Sequence, residues 1–350
     1  MGLFFNRDRR ALPVSIDPYQ ITARPRYYNF SGEAVDEKNA FTVTALTGAV
    51  TLLADCISVM PIQIHRDRGG RYERLPLPSW LNKPNIDQTL FEFIHQTVMS
   101  LAIHGVAFVY APRQGATPLE IRNISPTYVT VQQDDSGDLV YLINKKPFTK
   151  DEIIQINLLR LPGQLVGVAP LDLLRQTLGT SIAIDRFLAG FYGEGATPSS
   201  VLETDQNLTP ESAQILRDTW IDNHYKTRKP AVLSGGLKWK PIQASASDMD
   251  TMTHKEAIVR EIARVYRIPL HLILGTGGDS QTYQNIESAG SSFVKYTLLP
   301  YMRRIEDALS ELLPGQQRAK FNADEFMRAD LKTRVDAQKA QIQSGTLSPN

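Results

Sequence analysis

The chain has 350 residues, 42% of them hydrophobic and 21% charged, the proportions of an ordinary folded protein with room for one large domain or two to three smaller ones. Its 38 basic and 37 acidic residues nearly cancel, which counts against a protein that grips nucleic-acid phosphates through whole-chain charge. A single cysteine, Cys56, excludes an internal disulfide framework and a cysteine-based zinc site, fits a reducing compartment, and in its apolar helical setting reads as a buried structural thiol.

In chain order, residues 1–40 read as an arm in which Pro13, Pro18 and Pro25 interrupt scattered Arg and Tyr without a period; such a segment orders against a neighbour. The first ten residues hold too short an apolar core for a secretory signal. No run of about 18 apolar residues occurs, so no membrane span is expected, and the reading is a soluble protein, intracellular when made. Leu46, Ala49, Val50, Leu53 and Ile57 fall at helical spacing and predict a helix over about 42–59, stopped by Pro61. Residues 61–66 alternate apolar and polar before the turn 67–70, a strand and hairpin. Asp87 or Thr89 can cap a helix over about 89–103 that Gly105 ends. Short strands follow at 106–110, 121–124, 128–132, 139–143 and 153–156, parted by Gly, Pro and Asp turns. The first half is an α+β domain.

After Gly167 the character changes. Leu171, Leu174, Leu178 and Ile182 line one stripe of a helix expected over about 170–192, roughly 35 Å long, with Gly179 its weak point. A small mixed unit follows: a strand at 201–203, a helix begun by Thr209 and Pro210 and reaching about 223, and strands at 231–233 and 237–242. With about 50 residues it is too small for a comfortable core of its own, and neighbouring copies would complete it. A second long helix, over about 249–266, carries Ile258, Ile262 and Val265 on one face and stops at Pro269. Residues 275–284 form a Gly-rich polar loop. In a third helix, over about 286–313, Leu298, Met302, Ile305, Leu309 and Leu312 repeat at helical spacing, and Pro300 predicts a kink. A charged helix is expected over 324–343.

No catalytic constellation emerges, so no enzyme activity, cofactor or metal is expected. Residues 275–278 lack the spacing of a phosphate-binding loop and its lysine. His65, His95, His104, His224, His254 and His271 have no second ligand at helical spacing. Asp248 and Asp250 open a helix, where the dipole favours acids, and no serine sits in a G-x-S-x-G elbow. One basic stretch stands out: Arg217, Lys226, Arg228, Lys229, Lys238 and Lys240 against Asp218 and Asp222, with Trp220 and Trp239 nearby. It suits either a solvated surface or an acidic partner or DNA.

Several short segments occur in a specific order: Leu53-Ala-Asp-Cys-Ile-Ser-Val-Met-Pro61, Leu81-Asn-Lys-Pro-Asn85, Leu101-Ala-Ile-His-Gly105 and Gly167-Val-Ala-Pro-Leu171. Val265-Tyr-Arg-Ile-Pro-Leu270 leads to Leu274-Gly275, and Thr282-Tyr-Gln-Asn-Ile-Glu287, Phe293 and Thr297-Leu-Leu-Pro300 complete the set. Together, over about 40–350, they resemble the portal proteins of long-tailed, siphovirus-type double-stranded DNA phages. The resemblance implies an α+β portal fold: an N-terminal arm (1–40), an α/β wing (41–166), a first stem helix (167–198), a small mixed clip (199–246), a second stem helix (247–272), a tunnel loop (273–285), a kinked wing helix (286–314) and a C-terminal crown segment (315–350), short or truncated.

It further implies a homo-oligomeric ring, usually of about twelve subunits, at one capsid vertex, through which DNA is packaged and ejected. Thr276, Gly277, Gly278, Asp279, Ser280 and Gln281 of the tunnel loop would face the duplex, which passes without its sequence being read; Trp220, Lys226, Arg228 and Lys229 of the clip would dock partners. Those partners are the terminase large subunit, which holds the ATPase, the major capsid protein and scaffold, and a head–tail adaptor. The expected location is the virion, and the host cytoplasm during assembly. The near-zero net charge fits a channel along which DNA must slide, since each fixed cation adds phosphate affinity. Another head–tail connector or a minor capsid protein is the alternative, although connectors are generally smaller and lack two long helices bracketing a mixed insert.

Overall fold

The computed structural model describes residues 30–69, 71–193, 200–204, 209–220, 236, 238–241, 251–274, 290–323, 339 and 342–344. In chain order these form α1 (Glu37–Ala40), α2 (Thr44–Ser58), β1 (Ile62–Arg68), β2 (Arg71–Leu75), α3 (Ser79–Asn82), α4 (Leu90–His104), β3 (Val106–Tyr110), β4 (Arg113–Gln114), β5 (Thr117–Pro118), β6 (Arg122–Ile124), β7 (Val129–Gln133), β8 (Leu139–Ile143), β9 (Lys146–Phe148) and β10 (Ile153–Asn157). Then come α5 (Pro170–Leu173), α6 (Arg175–Gly193), β11 (Ser200–Glu203), α7 (Pro210–Trp220), β12 (Lys238–Pro241), α8 (Thr251–Tyr266), α9 (Leu299–Ser310) and β13 (Gln317–Phe321). The fold is α+β, and the chain divides into two units: residues 1–180 with 256–350, and residues 181–255.

In the larger unit, α2 buries Leu46, Ala49, Val50, Leu53, Ala54 and Ile57, the stripe that the helical spacing predicts. It packs on α4, whose Phe93, Ile94, Thr97, Val98 and Leu101 are buried. Each such apolar side chain withdrawn from water contributes about 1.5–3 kcal/mol. Of the two candidate caps, Thr89 is the one used: its hydroxyl accepts from the Glu92 N–H at 3.2 Å, and the Glu92 carboxylate accepts from the Thr89 N–H at 2.7 Å. Gly105, at φ 69°, closes the helix in the left-handed region.

All strand pairs described are antiparallel. The sheets run β13-β1-β2, β10-β3-β6 and β7-β8-β9, with the short pair β4-β5. Val106, Phe108, Val129, Val131, Tyr141, Ile153 and Leu165 form a core between two of these sheets, with the Phe108 and Tyr141 rings edge to face at 6.0 Å. Two of the quoted motifs meet here. The Leu158 N–H donates to the Gly105 carbonyl at 2.9 Å, the Val168 N–H to the Leu159 carbonyl at 2.7 Å, and the Gly167 N–H to Asn157 Oδ1 at 2.9 Å. Gly105 and Gly167 thus come into backbone contact, an approach open only to residues without a Cβ.

The structure departs from the sequence expectations in three places. The helix expected over 170–192 breaks at Leu174, between α5 and α6, while Gly179 stays helical and buried. Pro300 does distort its helix, and the distortion lies upstream: residues 294–298 form a π turn in which the Leu299 N–H reaches back to the Val294 carbonyl. Pro300 has no N–H and its ring crowds the carbonyl four residues before it, so a wider turn ahead of it re-pairs the backbone. Finally, β13 lies within residues read as a separate C-terminal segment, yet pairs with β1 in the register Ile62 to Phe321 and Ile64 to Ala319. Its other edge meets side chains instead of a strand. Ser310 Oγ accepts from the Ala319 N–H at 3.0 Å, and the buried Glu306 carboxylate accepts from the Phe321 N–H at 2.8 Å and from Arg303 at 2.9 Å.

The smaller unit holds the two-stranded sheet β11-β12, registered from Ser200 opposite Pro241 to Glu203 opposite Lys238, and the helix α7. Thr209 caps α7 through its hydroxyl, which accepts from the Ser212 N–H at 3.3 Å. α7 buries none of its residues.

Candidate functional site

The residues expected to carry function fall on two places: the loop after α8 and the small unit. Thr276–Gln281 of the loop lie outside the described residues, as do Lys226, Arg228 and Lys229. Trp220 is described. It ends α7 half-buried, one helical turn beyond the half-buried Leu216, while Ile215 on the other side of the helix is 67% exposed. Arg217 is engaged with its neighbour Asp218 at 3.4 Å, and Lys238 lies exposed on β12. The charged stretch is thus split between a helix and a strand of this one unit.

The two long helices that bracket the small unit run antiparallel. Thr177 on α6 donates to Glu261 on α8 at 2.6 Å, and further along α6, Asp185 pairs with Lys255, further back along α8, at 2.8 Å. α8 then ends in a firmly fixed turn. The Ile268 N–H donates to the Ala263 carbonyl at 2.9 Å and the Arg267 N–H to the Arg264 carbonyl at 3.3 Å, the bonding of a left-handed helix terminus. Arg267 takes the left-handed position at φ 57°, where a residue with a Cβ costs about 1–2 kcal/mol more than glycine. The Thr297 hydroxyl clamps it by donating to the Arg267 carbonyl at 2.5 Å. Beside it, the buried Tyr266 donates to the Ala102 carbonyl at 3.0 Å, and burial lifts its phenol above the ordinary tyrosine range. These bonds fix the backbone of the last described residues after α8, which end at Leu274.

Tyr301, on α9, is buried. Burial pushes its phenol up to about 12, opposed by the positive charges of Arg304 and Arg267. Sequence reasoning passed over the left-handed backbone at Arg267, because nothing in a residue other than glycine signals it. No cluster of potential metal ligands occurs among them. His95 contacts Asp55 at 3.3 Å and stacks on Phe91, and the buried His104 lies 3.7 Å from Glu37. Cys56 is half-buried, and burial together with Asp55 pushes its thiol up. No helix among the described residues is long and apolar enough to cross a membrane.

Residues 44–350 match the family model described as "Phage portal protein". The chain is similar to the "Probable portal protein" of Streptomyces phage phiC31, 27% identical over 95% of this chain and 78% of that protein. Its fold is similar to a chain in the neck of a native gene transfer agent particle computed with C12 symmetry, with a TM-score of 0.64 and 22% identity over 89% of each chain. It is similar also to an HK97-family phage portal protein from Corynebacterium diphtheriae, with a TM-score of 0.62 and 18% identity over 85% of this chain and 99% of that one.

Proposed function

This chain belongs to the phage portal protein family, a structural family, and we propose that about twelve copies close into a ring at one capsid vertex and form the channel for packaging and ejecting double-stranded DNA. The observation that carries this reading is the small unit. A described two-stranded sheet and a helix that buries none of its residues are marginal alone, since independent stability needs a third strand or a packed helix face. A ring supplies both from adjacent copies. The C12 symmetry of the gene transfer agent neck, a fold neighbour, supports the subunit number.

In this reading residues 41–166 and 286–314 form the wing together with strand β13, the helices within 167–198 and 247–272 the stem, 199–246 the clip, 273–285 the tunnel loop and the rest of 315–350 the crown. The channel is passive: the terminase large subunit supplies ATP hydrolysis and docks, like the head–tail adaptor, on the clip through Lys226, Arg228 and Lys229, while capsid protein and scaffold surround the wing. Assembly takes place in the host cytoplasm and ends in the virion.

Negative-stain microscopy and native mass measurement of the purified full chain test the ring. The expected result is a particle of about twelve copies with a central hole. A natively folded chain that stays monomeric at roughly micromolar concentration, where interfaces of ordinary size hold, refutes it. Deleting Thr276–Gln281 leaves rings intact and alters packaging or retention of DNA. Loss of rings on deletion, or unchanged packaging and retention, removes the loop from the channel.

A further inference from the structure

The face of the sheet β13-β1-β2 turned away from the core carries charges of one sign in direct register. Ile62 and Ile64 on β1, with Phe321 and Ala319 opposite them, are buried, so the alternation of a strand turns Gln63, His65 and Asp67 to the other side. Across the ladder, His65 stands opposite Arg318 of β13 on one side and opposite Arg74 of β2 on the other, and Gln63 stands opposite Lys320. Arg318, Lys320 and Arg74 are exposed. Directly opposed residues of adjacent strands lie about 4.5–5.5 Å apart at Cβ, and like charges so placed are destabilising. The reverse face of the same hairpin follows the ordinary rule: Arg66 stands opposite Glu73, and Arg68 pairs with Glu73 at 3.2 Å. On the exposed face the one acid among the described strand residues is Asp67, at the end of the row opposite Tyr72. An arrangement that works against the sheet's own stability marks a surface kept for binding, and here the ligand is an anion.

The chemistry beside the row selects the anion. β1 and β2 pair as far as Ile64 opposite Leu75, and Pro76 has no N–H with which to continue the ladder. Beyond that point a groove of about 330 Å³ opens, lined by Ile62, Gln63, Arg74, Leu75, Pro76 and Leu77. Gln63 and Arg74 belong to both the groove and the row, so the two form one continuous surface, a mostly apolar slot flanked by cations. The outside of a duplex offers phosphates but nothing apolar to fill the slot, and so few phosphate contacts give only weak, salt-labile affinity. A polypeptide offers both kinds of group. We infer that this face binds an acidic segment of a partner protein, with an apolar side chain in the groove and carboxylates on Arg74, Arg318 and Lys320. The surface lies wholly in the larger unit and is independent of the ring.

The test is fluorescence anisotropy of a labelled peptide of alternating aspartate and leucine, titrated with the full chain over a range of salt concentrations. The wild type binds this peptide and not its counterpart with asparagine for aspartate. Arg74→Gln combined with Arg318→Gln weakens binding by about tenfold or more and flattens its salt dependence. Both side chains are exposed, and removing like charges from either side of His65 leaves Tm unchanged or higher, so lost binding is not lost folding. Leu77→Ser, in the groove, weakens binding a few-fold at every salt concentration. If the wild type ignores the peptide, or binds it no better than the double variant does, the site is refuted. If a short DNA duplex binds more tightly than the peptide and the double variant loses it, the anion is phosphate and the acidic-segment assignment is overturned.

Discussion

Alanine at Gly105 tests the contact that ties the end of α4 to the segment entering α5. A Cβ there would stand 1.9 Å from the Val168 carbonyl oxygen and 2.5 Å from its carbon, on a backbone at φ 69°. The left-handed conformation alone costs about 1–2 kcal/mol for a residue with a Cβ, and forcing backbone apart in a packed region adds about 1–3 kcal/mol. The more restricted unfolded chain of alanine returns about 0.4–1 kcal/mol. The net loss is about 1–4.5 kcal/mol, and its middle, about 3 kcal/mol, lowers Tm by roughly 6–12 °C for a unit of this size. Gly137 provides the control: it lies at φ 84° with nothing within 4 Å of a built Cβ, so Gly137→Ala carries the conformational cost without the collision. Thermal unfolding followed by near-ultraviolet circular dichroism separates the two. Equal destabilisation by both variants would falsify the close approach of Gly105 to Val168.

Glu306→Leu leaves the buried Phe321 N–H without its acceptor and costs about 1–3 kcal/mol; Glu306→Gln keeps an acceptor and costs less, and hydrogen exchange at Phe321 reports the difference. The Thr89 N–H and hydroxyl hold the Glu92 carboxyl below its ordinary value, so its contribution to stability is present above the unfolded-state pKa and lost as pH falls through the folded one. Urea midpoints of Glu92→Gln and wild type therefore converge in acid and separate toward neutrality; a constant gap refutes the cap. Trp220→Ala weakens assembly while the Tm of the larger unit holds, and undiminished rings move Trp220 away from a subunit boundary. Cys56, half-buried with its thiol pushed up, reacts with iodoacetamide more slowly than free cysteine at the same pH, and an equal rate contradicts that environment.

Elements with a long period or a sharp end were legible. The stripe from Leu46 to Ile57 with Pro61 beyond it, and the α4 stripe between Thr89 and Gly105, write both the buried face and the boundary into local sequence. The short strands β4, β5 and β9 contain two or three residues each, fewer than alternation needs to show itself. β13 was illegible for another reason: its place depends on β1, more than 250 residues earlier in the register. Pro300 signals a distortion but not the direction in which the backbone repairs it. The motif containing Arg267 was visible, while its left-handed backbone at φ 57° is a dihedral angle that no spacing rule reports. Gly105 and Gly167 are the opposite case, where two strings quoted separately touch in space.

The sheet β13-β1-β2 has two outer edges, and each is blunted by a different device. On β13 the Ser310 hydroxyl and the Glu306 carboxylate occupy backbone donors that a foreign strand would need. On β2 the charged Glu73 and Arg74 lie exposed, and Pro76 follows directly, both poor templates for strand addition. When many identical copies are held side by side, open sheet edges invite runaway polymerisation. In the proposed ring, a sheet with both edges closed in this way gives neighbouring copies no strand to extend, so contact between them cannot propagate through it.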